Sequence, residues 1–281
     1  MGTWFATFLK KNGYRVNVYD KNTRAAKNLS RRKKLQFVAN LNRATTDAQL
    51  IIFATPTSVT KQLLQRIQVN GPSKSIVEIS SVKTPIKSTI LKLQKKGVPI
   101  LSIHPMFGGG AKSIAGRVIL TTVIPIDNQI AKKFLLLLKK NGAKLIQCSL
   151  KDHDKLAAII LALPHFINIV FINSLKALAV NLDHIRTVAG TTFKLQLLIA
   201  EAIYQEGKEN ELSILVDNAH SLNTLKKLAH ETASLLGTIE DHRSVALERT
   251  LASGHKFISK EKEFASSYVR FNDAVEVSYR R

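Results

Sequence analysis

A change of pattern near residue 149 constrains this chain most. Before it, β-prone runs at 14–19, 50–54, 75–78, 100–103, 118–122 and 144–147 alternate with helical patterns at 58–67, 85–96 and 128–141. Such alternation predicts a parallel sheet with helices on both faces. Pro85 near one helix start, and Gly97 and Gly142 just past helix ends, fit the usual punctuation. Beyond Ser149 the strand signals end, and helical patterns run at 152–180, 191–204, 211–236, 239–251 and 260–271. The expected fold class is α/β, with a parallel-sheet domain over residues 1–149 and an all-helical domain over 150–281.

A length of 281 residues with 45% apolar content suffices for two domains with real cores. The single cysteine, Cys148, excludes an intramolecular disulfide and a cysteine-built metal site. Between Ile146 and Leu150 it reads as a buried structural thiol, and a reducing cytoplasm is the expected compartment. The first residues show no basic lead and apolar run of a signal peptide, and Ala6 does not fit a myristoylation start. The most apolar stretch, 156–180, is interrupted by Pro164, His165, Asn168, Asn173 and Lys176. It reads as a buried helix or helix pair rather than a membrane span.

The net charge of +22 admits nucleic-acid binding, steering of anionic substrates, or a merely basic background. The cations are dispersed in short runs such as Arg31–Lys34, Lys132-Lys133 and Lys226-Lys227, mostly at solvent-facing helical positions, and no nucleic-acid module accompanies them. A small anionic ligand is expected, without nucleic acid or membrane. The eight histidines show no H-x-x-x-H or H-E-x-x-H spacing, so no metal site is expected, and G-x-S-x-G is absent.

Residues 3–12 read as a helix with Trp4, Phe5, Phe8 and Leu9 on its apolar face, capped by Gly13 and followed by a strand ending at Asp20. This is the second part of a Rossmann-type dinucleotide-binding unit. Gly2 has the place of the third glycine of G-x-G-x-x-G, and Asp20 lies at the offset of the acid that holds ribose hydroxyls. The first strand and first two glycines are missing. A start assigned too far downstream and a shortened domain with weakened cofactor binding both fit. Thr55-Pro56-Thr57 follows the 50–54 strand and is expected to border the cofactor, although Thr57 or Ser58 would equally serve as a helix N-cap. Asp20 favours NAD; Lys21 and Arg24 leave NADP open.

Four segments sharpen this reading: Met1-Gly2-Thr3-Trp4-Phe5; Ile79-Ser80-Ser81-Val82-Lys83-Thr84-Pro85; Ser102-Ile103-His104-Pro105-Met106-Phe107-Gly108-Gly109; and His153-Asp154 followed by Leu163-Pro164-His165-Phe166. In this order they resemble the prephenate/arogenate dehydrogenase family, from Met1 to at least Leu215. The resemblance implies a Rossmann domain and a helical dimerisation domain, hence a homodimer. It implies NAD(P)-dependent oxidation at C4 of prephenate with loss of the ring carboxylate, giving 4-hydroxyphenylpyruvate for tyrosine synthesis.

By the same resemblance His104 is the catalytic histidine, suited by its pKa to take the C4 hydroxyl proton. Ser81 would hydrogen-bond that hydroxyl and the nicotinamide region, or merely cap helix 85–96. Lys83 would supply positive charge to substrate, or only be solvated. His165 would approach the substrate's side chain after a kink at Pro164. His153-Asp154 would orient the domain junction, and a helix N-terminal role for Asp152 or Asp154 is equally open. Two features depart from the family. Gly109-Gly110 stands where proline is common, loosening the loop. The arginine expected near Ala202 to bind a carboxylate is absent, leaving Lys194 or Arg186 as substitutes. Arogenate, another substrate of hydroxyacid type, or a truncated non-catalytic dimeric module are the alternatives.

Overall fold

The computed structural model describes residues 1–67 and 73–279. They divide into two compact units: Met1–Ala157 with Glu209–Ala219, and Ala158–Lys208 with residues from His220 onward.

The first unit is a layered α/β structure. Strands β1 (Asn17–Val18) and β2 (Gln36–Phe37) pair in parallel, flanking helix α2 (Thr23–Lys33); α3 (Leu41–Thr46) follows. Strands β3 (Leu50–Phe53), β4 (Ser75–Glu78), β5 (Ile100–Pro105), β6 (Val118–Val123) and β7 (Lys144–Gln147) form a separate five-stranded sheet in sequential order. Because successive strand residues face opposite sides, the buried strands are apolar on both. Phe5 of α1 (Gly2–Lys11), with Phe134 and Leu138 of α6 (Gln129–Lys140), packs on Val77, Leu101 and Ile103. Leu64 of α4 (Thr57–Arg66), with Ile90 and Leu93 of α5 (Lys87–Lys95), packs on Ile51, Phe53, Ile76 and Ile100. Full burial of each such side chain contributes about 1.5–3 kcal/mol.

One pairing departs from the parallel expectation: β5 and β6 are antiparallel. No helix joins them to carry the chain back across the sheet, so β6 returns alongside β5. Helix ends follow the expected chemistry. Asn128 caps α6 by accepting from Ala131 N at 2.9 Å. Gly142, at φ +86°, closes that helix where a Cβ would lie 3.0 Å from Ala115 Cα. The basic doublets named above are solvent-exposed.

Compactness places residues 150–157 and 209–219 in the first unit, whereas the pattern change put them in the helical domain. The cause is burial. Helix α7 (Leu150–Ala157) turns His153, Asp154 and Ala157 into the first unit's interior. Asn218 Nδ2 donates to Asp154 O at 2.9 Å, and Ser213 Oγ donates to Thr57 Oγ1 at 3.1 Å.

The second unit is helical. It contains α8 (Leu163–Ala177), α9 (Leu182–Val188), α10 (Thr191–Gln205), α12 (Ser221–Glu240), α13 (Ser244–Ile258) and α14 (Ser267–Tyr279); α11 (Lys208–Leu212) begins at its edge. Helices α8 and α10 pair through a T-shaped Phe171–Phe193 contact at 5.6 Å and a 2.7 Å bond from Gln196 Nε2 to Asn168 Oδ1. Pro164 lacks an N–H for the carbonyl one turn earlier, and the helix takes a π-turn at Ala158–Ala162 just before it. The run Leu150–Ala177 is long and apolar enough, by length and composition, to cross a membrane, and an 18-residue stretch within it has a mean hydropathy of 2.1. The expectation of a buried helix needs correction, because only 28% of that stretch is buried. Ile159 and Val170, for example, are exposed in the single chain.

Candidate active site

Strands β4 and β5 deliver the central residues of the site. The sequence around β4 (SIVEISSVK) leaves the sheet after Glu78, and the following turn carries Ser80, Ser81 and Lys83. Strand β5 ends at His104-Pro105, one strand further along. Both strands run in the same direction, so these residues share the carboxyl edge of the sheet, where open α/β sheets bind ligands.

His104 is buried. Its Nδ1 lies 3.0 Å from His153 Nε2, and His153 Nδ1 lies 2.7 Å from Asp154 Oδ1. The Asp154 carboxylate also accepts from Lys83 N at 2.8 Å, and from Thr84 N and Thr84 Oγ1 at 2.5 Å each. Burial alone would raise its pKa. The bonds from His153, Thr84 and Lys83 N outweigh burial and hold it at about 2. Burial, reinforced by His153 and the Lys83 charge, pushes His104 well below the usual imidazole range. His153 is lowered too, by burial opposed by its bond to Asp154. Around neutral pH the row is therefore imidazole, imidazole, carboxylate.

Lys83 corrects an expectation. It is neither solvated nor turned toward a ligand, but fully buried, with Nζ 2.6 Å from Glu78 Oε1 and 2.8 Å from Ile103 O. Burial draws its pKa down and the Glu78 charge opposes this. Glu78 also accepts from Ser80 N at 2.9 Å and from Ser102 Oγ. Ser81 is half-buried and does not cap α5, whose N-cap position is Ile86. Ser80 Oγ is buried with no hydrogen-bond partner among the described residues.

The other first-unit residues gather at the opening of α1. A Cβ on Gly2 would lie 3.5 Å from Ala54 Cβ, next to exposed Thr55 and Pro56. Thr55 Oγ1 bonds Thr60 Oγ1 at 2.8 Å, and Pro56, not Thr57 or Ser58, stands at the N-cap of α4. Gly109 does more than loosen its loop: a Cβ there would sit 3.2 Å from Met1 N, so it lets the loop after β5 approach α1 closely. Trp4 secures that approach, donating from Nε1 to Ala111 O at 2.8 Å and meeting Phe107 edge-on at 4.9 Å. Asp20 is exposed just after β1, its Oδ1 accepting from Asn22 N at 2.8 Å. Cys148 is half-buried, its thiol pKa raised by burial.

In the second unit His165 is buried on α8, and Lys194 is half-buried on the paired helix α10. Arg186, the other candidate for the missing arginine, forms an ion pair with Glu201.

Glu78 was not singled out from sequence. An acid ending a wholly buried strand was the available signal. The carboxylate role of Asp154 toward the 83–84 turn was also missed, since it spans about seventy residues of chain.

Residues 5–147 match the model of the prephenate dehydrogenase nucleotide-binding domain, and residues 149–253 match the prephenate dehydrogenase dimerization domain. The chain belongs to the prephenate dehydrogenase family. A relative from Methanocaldococcus jannaschii named "Probable arogenate/prephenate dehydrogenase" is 28% identical over 202 residues. That match covers 71% of this chain but 45% of the relative, so the chain spans about half the length of that curated family member. The fold is shared with Synechocystis arogenate dehydrogenase, at a TM-score of 0.62, 18% identity, and coverage of 92% of this chain and 95% of the other. It is also shared with prephenate dehydrogenase from A. aeolicus, solved with hydroxyphenyl propionate and NAD+, at a TM-score of 0.57, 16% identity, and coverage of 89% and 94%. The two matches correspond to a Rossmann-like domain followed by a helical one.

Proposed function

We propose that this chain catalyses the NAD(P)-dependent oxidative decarboxylation of prephenate to 4-hydroxyphenylpyruvate. The observation that carries this reading is His104, held neutral by burial at the carboxyl end of β5, in the family segment where a proton acceptor is needed. His104 takes the proton of the C4 hydroxyl as hydride leaves C4. The ring carboxylate departs as carbon dioxide, its bonding pair aromatises the ring, and the proton returns to the phenolic oxygen. Ser81, on the neighbouring turn, orients the hydroxyl. The excess positive charge favours arrival of a dianionic substrate.

The nicotinamide, when bound, supplies the hydride acceptor. The residues present fit its anionic portion. The opening of α1 has no acid in its first turn and no side-chain cap, and Gly2 and Gly109 keep it narrow in side chains. Gly2, Thr55 and Pro56 would hold the diphosphate region and Asp20 the ribose. NAD is favoured over NADP because Asp20 would repel a 2′-phosphate, and the complex of the A. aeolicus enzyme with NAD+ supports the same choice. A homodimer formed through residues 150–281 in the cytoplasm completes the proposal, supported by the dimerization-domain match and the exposed apolar face of Leu150–Ala177. Sedimentation as a monomer at micromolar concentration would count against the dimer.

Arogenate is the second reading. Helix α10 carries Lys194 but no arginine, so the strong bidentate grip on a carboxylate is absent there. The test is NADH or NADPH formation with prephenate and with arogenate, and identification of the aromatic product. Turnover of prephenate with release of 4-hydroxyphenylpyruvate supports the first reading. Turnover of arogenate alone selects the second, and folded protein inert toward both removes the enzymatic reading.

A further inference from the structure

We propose that His153, itself held by Asp154, is a positioning residue that fixes His104 in the tautomer with a proton on Nδ1 and a free lone pair on Nε2. This rests on the reading of His104 as the proton acceptor.

The assignment follows from donor and acceptor chemistry along one row of atoms. Asp154, ionised above a pH of about 2, can only accept, so His153 Nδ1 at 2.7 Å must carry a hydrogen. A neutral imidazole has one N–H, so His153 Nε2 is then an acceptor. His104 Nδ1, 3.0 Å from that nitrogen, must therefore be the donor. The proton is thereby placed on the inner nitrogen of His104, and the outer nitrogen, Nε2, bonds to no described residue. Without Asp154 both rings could flip tautomer together and present Nε2–H, which cannot accept a proton.

The surroundings favour this arrangement over a charged one. Lys83 Nζ is bonded to Ile103 O of β5, and its positive charge opposes protonation of both rings. Glu78 is occupied by Lys83, Ser80 and Ser102. Among the described residues Asp154 is thus the one carboxylate hydrogen-bonded to the histidine row. The three other bonds that reach it, from Lys83 N, Thr84 N and Thr84 Oγ1, keep it ionised and aligned. When His104 accepts the substrate proton, His153 stays an acceptor toward Nδ1 and the new charge is shared toward Asp154. A carboxylate that orients a histidine through hydrogen bonding is a known device in hydrolases. In this chain a second imidazole lies between them.

The experiment is nitrogen NMR of histidine-labelled full-length protein at pH 7.5, in which protonated and lone-pair ring nitrogens give separate shifts. His104 and His153 are assigned from the His104→Asn and His153→Gln spectra. The expected result is a protonated Nδ1 on both rings and a lone-pair Nε2 on His104. In Asp154→Asn the His104 assignment should invert, and kcat with the accepted substrate should fall by roughly 10²–10⁴ with KM changed little. His153→Gln, whose amide oxygen can still accept from His104 Nδ1, should retain more activity than His153→Leu. A wild-type His104 with its proton on Nε2 overturns the proposal whatever the activity. The expected spectrum in a protein inert toward prephenate and arogenate supports the tautomer assignment and removes the functional reading instead.

Discussion

Lys83 Nζ lies 2.6 Å from Glu78 Oε1, and neither side chain is reached by solvent. Removing one member of such a pair strands the other charge in the core. Lys83→Met should therefore lower unfolding stability by about 3–5 kcal/mol. Adding Glu78→Gln should recover a large part of the loss, because the stranded carboxylate is gone. Urea denaturation of the single and double variants checks this, and a double variant no better than Lys83→Met would refute it.

The proton-acceptor role makes a separate demand on His104. His104→Asn should fold, with a far-ultraviolet spectrum like the parent's, yet lose roughly 10²–10⁴ in kcat. Steady-state reduction of the nicotinamide cofactor measures it. A loss below tenfold would move the proton transfer to another group.

Acid should destabilise the first unit in two stages. His104 and His153 are held low by burial, so below about pH 6.5 the unfolded chain binds protons that the native one does not. Stability should fall as pH drops from there, by up to about 1.4 kcal/mol per pH unit for each ring. Asp154 acts lower. Its contribution, about 2 kcal/mol, is complete above its unfolded value of 3.8 and is lost as pH falls through about 2. Urea midpoints between pH 7.5 and 4 test the first stage, which His153→Gln should make shallower.

Cofactor choice rests on one exposed carboxylate. Asp20→Ser should shift the ratio of kcat/KM toward NADP+ by roughly tenfold, through a weaker grip on NAD+ and relief of repulsion. An unchanged ratio would place the ribose elsewhere.

The sheet and several helices were legible because their signals are local. LIIF and SIVE are apolar runs, as strands covered on both faces must be, and β4 and β7 begin and end at the expected residues. Helix α2 was missed because TRAAKNLSRRK buries only Ala26 and Ser30, leaving almost no apolar stripe to read. The antiparallel return of β6 was hidden because strand direction depends on what connects the strands. The site divides the same way. His104 and Ser81 stand out by motif, whereas the inward turn of Lys83 and the reach of Asp154 across to Thr84 exist only once the chain is folded.

Trp4 is the only tryptophan in the sequence, and its indole stacks on Phe8, meets Phe107 edge-on and bonds Ala111 O. The protein thus carries its own optical reporter at the joint between α1 and the 107–111 loop. Any event that lifts the loop wets one indole and no other, so intrinsic fluorescence can follow that joint in unlabelled protein.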